Sequence, residues 1–180
     1  MVNFLEKRRD VLEGVVISGG EPTIQERLPE FAKKIKEMGY SLKLDTNGSR
    51  PQVLRKMIEE ELLDFVSLDI KGPREKYGQI TGEMRAFILV DESLRLLKSS
   101  NVDLELRTTL VPGLVEKKDV LEIVKWIEPA QRYTIQNFRP GKTIDPKLAQ
   151  ARPFSEEYLC LLYTSPSPRD LSTSRMPSSA

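Results

Sequence analysis

Short runs of β-branched and aliphatic residues alternate with longer amphipathic stretches along most of the chain. The first pair is Gly14-Val15-Val16-Ile17-Ser18, read as a strand, followed by a helix over Ile24 to Met38. Leu28, Phe31, Ile35 and Met38 recur at spacings of three and four, which puts them on one helical face, and Gly39 suits the left-handed residue after a helix end. The same reading predicts a strand over Ser41 to Leu44 and a helix over Pro51 to Glu61. Strand Asp64 to Ile70 with helix Asp91 to Lys98, strand Asp103 to Leu110 with helix Lys117 to Ile127, and a last strand over Tyr133 to Gln136 complete the series. Such alternation calls for parallel strands, because parallel neighbours need a crossover and the crossover is usually a helix. A doubly wound sheet and a barrel both satisfy it. The longest connection, Lys71 to about Val90, holds Gly72-Pro73, Gly78 and Gly82 and exceeds an ordinary βα loop, a length that goes with function or with helix of its own.

Composition narrows the choices. With 180 residues, 39% of them hydrophobic, one domain with a sizeable core is expected. Lysine and arginine number 28 against 27 acidic residues, with no run of one sign that would suggest a nucleic-acid partner. The N-terminus turns charged at Glu6-Lys7-Arg8-Arg9-Asp10, too early for a signal peptide, and no stretch has the roughly 18 unbroken apolar residues of a membrane span. A soluble, cytoplasmic protein is the expectation. The single cysteine and the absence of histidine exclude an internal disulfide, a His-based dyad and a conventional zinc site. No P-loop or dinucleotide glycine pattern occurs, so triad hydrolysis and P-loop nucleotide hydrolysis are both disfavoured.

From Cys160 onward the texture changes to Ser- and Pro-rich sequence with no apolar periodicity after Tyr163. Such a segment reads as a disordered tail. Back-translated, its two blocks resemble a transposase-type sequencing adapter, so residues 160–180 are read as a non-native tail and 1–159 as the domain. Cys160 then carries no chemistry.

The unusual polar residues fall at or near strand C-terminal ends: Ser18-Gly19-Gly20-Glu21, Asp45-Thr46-Asn47-Gly48, Asp69 with Lys71, Arg107-Thr108-Thr109, and Gln136-Asn137. In parallel α/β architectures those ends converge on one rim, where separate groups form one site. Each group alone also fits ordinary turns and helix caps. Gly19-Gly20 lets backbone approach a ligand closely. Glu21 and Asp69 suit an ammonium or ribose hydroxyls, and Lys71 and Arg107 a carboxylate. A zwitterionic, ribose-bearing ligand fits this set. Trp126 reads as core with Ile123 and Ile127, Lys7-Arg8-Arg9 and Lys33-Lys34 as solvated helix faces, and Tyr77 as a loop residue able to touch a partner.

In order along the chain, Ile17-Ser18-Gly19-Gly20-Glu21-Pro22-Thr23, Leu44-Asp45-Thr46-Asn47-Gly48, Leu68-Asp69-Ile70-Lys71 and Arg107-Thr108-Thr109-Leu110-Val111-Pro112-Gly113 resemble the radical S-adenosylmethionine superfamily over roughly residues 12 to 140. The likeness is to the activating proteins of anaerobic ribonucleoside-triphosphate reductase and to the pyruvate formate-lyase activator. The resemblance implies an α/β fold, a partial (β/α)6 TIM-like barrel, in which Gly19, Gly20 and Glu21 contact the methionine amino end of S-adenosylmethionine. Asp45 and Thr46 lie beside its carboxylate, Asn47 is a further cofactor-binding position, and Asp45, Thr46 and Asp69 are the matching positions for a monovalent cation. Asp69 and Lys71 face the amino-acid and ribose portion, Arg107 the carboxylate, and Gln136 or Asn137 the edge of the adenine pocket. Phe138 stands where the formate-lyase activator has a histidine, which favours the reductase-activator branch.

The resemblance further implies a [4Fe-4S] cluster on a Cys-x3-Cys-x2-Cys loop, an electron donor such as flavodoxin or ferredoxin, and a glycyl-radical enzyme as partner. That loop belongs after a strand preceding Gly14, so the chain reads as a fragment lacking the first βα unit and the cluster ligands. Such a fragment exposes the Val15 to Ile17 edge, is expected to be poorly soluble, and by itself does not cleave S-adenosylmethionine. Three other readings compete: an activator of another glycyl-radical enzyme such as pyruvate formate-lyase, the deazaguanine synthase branch, and a non-catalytic barrel. The deazaguanine synthase branch usually carries Glu in the first of these later motifs and a Ser-Pro-Lys type in the second, unlike Asp45-Thr46 and Asp69-Ile70-Lys71. A non-catalytic barrel that binds a partner or metabolite is the alternative if Met1 is the true start.

Overall fold

A computed structural model describes residues 2–140, 148 and 150–164. In chain order the elements are α1 (Val2–Glu6), β1 (Gly14–Ile17), a 3-10 turn (Pro22–Ile24), α2 (Leu28–Glu37), β2 (Ser41–Thr46), α3 (Pro51–Glu59) and β3 (Phe65–Asp69). Then follow α4 (Arg74–Thr81), α5 (Ala86–Lys98), β4 (Asp103–Leu110), α6 (Lys117–Ile127), β5 (Tyr133–Asn137) and α7 (Glu156–Thr164).

The five strands form one parallel sheet in the order β1-β2-β3-β4-β5. This order decides between the two architectures that the βα pattern allows. Right-handed crossovers that always step the same way leave every connecting helix on one face of the sheet, whereas a doubly wound sheet has to reverse direction. The molecule is therefore a partial TIM-like barrel wall, with helices outside and an open inner face.

Side-chain alternation follows from that layering. Leu42, Leu44, Val66, Leu68 and Leu110 are fully buried beneath the helices, where they meet Ala32, Ile35, Leu54, Met57, Leu97 and Ile123. Their strand neighbours Lys43, Asp45, Ser67, Asp69, Glu105, Arg107, Thr109, Thr134 and Gln136 occupy the opposite, inner face, set side by side by the register. A strand core covered on both faces would be near-continuously apolar; here only one face is.

Several boundaries differ from the sequence expectation. The helix expected from Ile24 begins at Leu28, because Glu21 accepts from the Thr23 N–H and Pro22–Ile24 closes as a separate 3-10 turn, after which Gln25 is extended. The long connection contains α4, and α5 begins at Ala86 rather than Asp91 because Ala86, Val90, Leu94 and Leu97 form a continuous buried stripe. Tyr77 is a correction: on α4 it is buried, its hydroxyl accepts from the Lys71 N–H at 3.3 Å, and its ring packs edge-on against Phe87 and Trp126. It is core and not a partner contact. Trp126 is only half-buried and donates its indole N–H to Asp91 at 2.8 Å, so it flanks the core that Ile123 and Ile127 fill.

Helix α7 runs from Glu156 to Thr164 and so passes through the boundary expected between residues 159 and 160, with Cys160 exposed on it. The remainder of the expected tail, 165–180, lies outside the described residues. Among the described residues no helix is long and apolar enough to cross a membrane.

Candidate functional site

The rim at the strand C-terminal ends is built on Glu21. Its Oε1 accepts from the Thr23 N–H at 3.0 Å, the Thr23 hydroxyl at 2.6 Å and the Thr46 hydroxyl at 2.7 Å, and its Oε2 accepts from the Asn47 N–H at 2.7 Å. The carboxylate thus ties the loop after β1 to the end of β2. Just before it, Gly19 and Gly20 have φ of 104° and 57°, and the space where their side chains would stand is empty to 4 Å. L-residues rarely adopt such angles, so glycine keeps backbone groups presented to an open rim. Asn47 folds its own turn, its Oδ1 accepting from the Ser49 N–H at 2.9 Å.

On the inner face next to this loop pair lies an ionic cluster from three strands. Arg107 on β4 donates from Nε to Asp69 Oδ1 at 3.0 Å and from Nη1 to Asp45 Oδ2 at 3.3 Å. Lys71 Nζ donates to the other oxygen of Asp69 at 2.9 Å. Burial alone would lower the pKa of Arg107, but Asp69 and Asp45 outweigh it and push the value up, so the guanidinium is a permanent cation locked between two carboxylates. Asp45 Oδ1 is buried and accepts no hydrogen bond; Lys43 Nζ stands 3.7 Å away. A buried acceptor left open in this way is rare and suits an incoming donor.

Below the rim, Glu105 accepts from the Ser67 hydroxyl at 2.9 Å and the Thr134 hydroxyl at 2.8 Å, with Lys43 Nζ 3.9 Å away. Desolvation would raise its pKa, yet those two hydrogen bonds and the charges of Lys43 and Arg107 prevail and hold it below the ordinary 4.5. Sequence reading at the strand ends passed over Lys43, Ser67, Glu105 and Thr134. The signal available was a polar side chain two residues before an expected site residue on the same strand: Lys43 before Asp45, Ser67 before Asp69, Glu105 before Arg107.

The expected residues fall into three groups. Gly19, Gly20, Glu21, Thr46 and Asn47 are joined through the Glu21 carboxylate. Asp45, Asp69, Lys71 and Arg107 form the ionic cluster. Gln136 stands apart on β5, its Oε1 accepting from the Thr109 hydroxyl at 3.5 Å, beside an open depression of about 670 Å³ lined by Thr109, Gln136, Asn137, Phe138 and Arg139. Asn137 turns to the other face and clamps the backbone of Phe154 with both ends of its amide. Of the residues expected at a monovalent cation, Thr46 spends its hydroxyl on Glu21 and Gly48, while Asp45 and Asp69 share Arg107.

Residues 2–127 match the radical SAM superfamily. The chain belongs to the radical SAM superfamily. Among curated relatives in this family, a protein of Methanocaldococcus jannaschii assigned as a glycyl-radical enzyme activating enzyme is 36% identical over 140 residues, covering 74% of this chain. The chain spans 58% of that relative's length. Among solved structures, a domain of the pyruvate-formate lyase-activating enzyme from Bacteroides vulgatus superposes with a TM-score of 0.63 at 17% identity, covering 83% of this chain and 89% of that one. Native anSMEcpe with bound AdoMet superposes with a TM-score of 0.61 at 18% identity, covering 81% of this chain and 44% of that one. Both likenesses concern the radical SAM fold.

The family implies two groups, S-adenosylmethionine and an iron–sulfur cluster, and the residues treat them differently. The open acceptor on Asp45 and the glycine rim suit the ammonium and backbone-binding needs of the first. The second does not fit these residues. Among those described, no three His, Cys, Asp or Glu side chains are grouped to hold a metal, and the sequence has one cysteine.

Proposed function

We propose that this chain forms the S-adenosylmethionine-binding wall of a glycyl-radical enzyme activating enzyme, with anaerobic ribonucleoside-triphosphate reductase as the protein partner and flavodoxin or ferredoxin as electron donor. The observation that carries the reading is the buried Asp45 Oδ1, which accepts no hydrogen bond and has only Lys43 at 3.7 Å, beside a neutralised ionic cluster. An α-ammonium is the donor that such an oxygen accepts best, since a charge-assisted bond in a shielded site is about twice as strong as a neutral one. Gly19 and Gly20 present backbone groups to the same amino-acid end. Lys71, 42% exposed and ending on the rim, takes the carboxylate. Arg107, only 17% exposed and held by two carboxylates, acts as their anchor. Thr109 and Gln136 border the depression that receives the adenosine portion. Phe138, which lines that depression, stands where the formate-lyase activator has a histidine, and on that departure the reductase is named as partner. When bound, S-adenosylmethionine would supply the radical chemistry by which a glycyl-radical enzyme activating enzyme removes hydrogen from a glycine.

Calorimetry with the purified chain tests the reading. Wild type is expected to bind S-adenosylmethionine, and Asp45→Asn to bind it about ten-fold to a hundred-fold more weakly, the loss of one charge-assisted bond, with an unchanged circular-dichroism spectrum. No binding by wild type overturns the proposal. Under dithionite the 180-residue chain alone is expected to release no 5′-deoxyadenosine, because one cysteine cannot ligate the cluster; release of it refutes that part.

A further inference from the structure

Lys43 Nζ stands at almost equal distance from two carboxylates, 3.7 Å from Asp45 Oδ1 and 3.9 Å from Glu105 Oε2, and makes a short hydrogen bond to neither. Two features keep it there. The ring of Phe65 lies 4.9 Å from the ammonium and offers it a cation–π contact. Glu105 cannot follow Lys43, because hydroxyls from the strands on either side, Ser67 on β3 and Thr134 on β5, pin one oxygen each at 2.9 and 2.8 Å. The pull of a fixed Glu105 therefore balances the pull of Asp45. The balance is what leaves Asp45 Oδ1 open.

We infer that Glu105 is a positioning residue for the amino-acid end of the ligand, acting by holding Lys43 off Asp45. The inference rests on the reading that Asp45 accepts the ammonium of S-adenosylmethionine, and it adds a residue pair that neither touches the ligand nor lies on the rim. With the charge of Glu105 removed, only the weak contact with the Phe65 ring opposes collapse of Lys43 onto Asp45 into a full hydrogen-bonded pair at the usual 2.7–2.9 Å or so. The protein's own ammonium would then occupy the acceptor meant for the ligand's. The six charges Lys43, Asp45, Asp69, Lys71, Glu105 and Arg107 also sum to zero, so the loss of Glu105 leaves a net positive wall facing a cationic ligand. Both effects act in the same direction.

Calorimetric titration of the full chain with S-adenosylmethionine and with 5′-methylthioadenosine, which lacks the amino-acid end, tests this. Glu105→Gln keeps the shape and an acceptor for a hydroxyl; it is expected to bind S-adenosylmethionine at least ten-fold more weakly than wild type and methylthioadenosine equally well. Lys43→Met is expected to bind S-adenosylmethionine as tightly as wild type or more so, since Lys43 only competes. The double variant Lys43→Met/Glu105→Gln should recover to within about three-fold of wild type, a rescue that a merely structural role does not produce. Unchanged affinity in Glu105→Gln, weakened affinity in Lys43→Met, or a double variant no better than Glu105→Gln would each overturn the inference while leaving S-adenosylmethionine binding intact. Wild type that binds methylthioadenosine but not S-adenosylmethionine removes the reading beneath it, and the inference with it.

Discussion

Glu21, expected at a ligand from its place in the sequence, also carries contacts that no local motif predicts. Next to two glycines at a strand end, it is expected to meet a ligand's ammonium. In the fold its two oxygens accept four hydrogen bonds, three of them on Oε1. These bonds fasten the Gly19-Gly20 loop to Thr46 and Asn47. Glutamine in its place would have to point an N–H at either the Asn47 N–H or the donors around Oε1, leaving a half-buried donor facing a donor. Glu21→Gln is therefore expected to cost about 2 kcal/mol of stability, measured as a lowered urea midpoint at unchanged slope. A midpoint equal to wild type would mean that the loops hold together without the carboxylate. The decisive contacts span 25 and 26 residues of sequence, which no local motif encodes.

At the scale of elements, two glycines in the left-handed region separate packing from ligand access. Gly48, φ 71°, follows β2 where the chain passes under its neighbours; a Cβ there would stand 2.7 Å from Leu68 Cδ1 and 3.3 Å from Ser93 Cβ, and its carbonyl accepts from the Ser93 hydroxyl at 2.7 Å. Gly20, φ 57°, has open space around it. Gly48→Ala should thus combine backbone strain with a clash against Leu68 of β3 and Ser93 of α5 and lose about 3 kcal/mol. Gly20→Ala should lose only about 1 kcal/mol, from the left-handed conformation alone, while weakening S-adenosylmethionine binding far more than its stability. Thermal melts paired with calorimetry separate the two; equal melting temperatures would contradict the packing argument. Sequence reading placed both glycines at turns, and could not rank them, because the difference lies in what α5 and β3 bring alongside.

At the scale of the whole molecule, β1 is an edge strand among the described residues, paired only with β2, and Val16 on it is 59% exposed. A parallel sheet edge with its hydrogen-bonding groups unpaired is a template for another chain. Concentration-dependent association of the purified chain follows, and Val16→Lys should reduce it without lowering the melting temperature. Sedimentation of the two proteins at matched concentrations checks this; identical association would place the contact elsewhere. The sequence by itself determined the alternation of strands and helices, β4 and α6 to the residue, the parallel sheet, and the rim on which its glycines and charges gather. These follow from periodicity and from a chain direction that puts every strand end on one side. Periodicity left a doubly wound sheet and a barrel open and the family resemblance implied the barrel; the tertiary structure established that the sheet winds one way, with a polar inner face, because strand order is a property of crossovers and not of any segment. It also decided that Tyr77 is core, that Glu21 and Arg107 are anchors, and that Lys43 is shared between Asp45 and Glu105. Those roles depend on side chains brought within hydrogen-bonding or packing distance from separate strands and helices, and that proximity exists only once the barrel wall has formed.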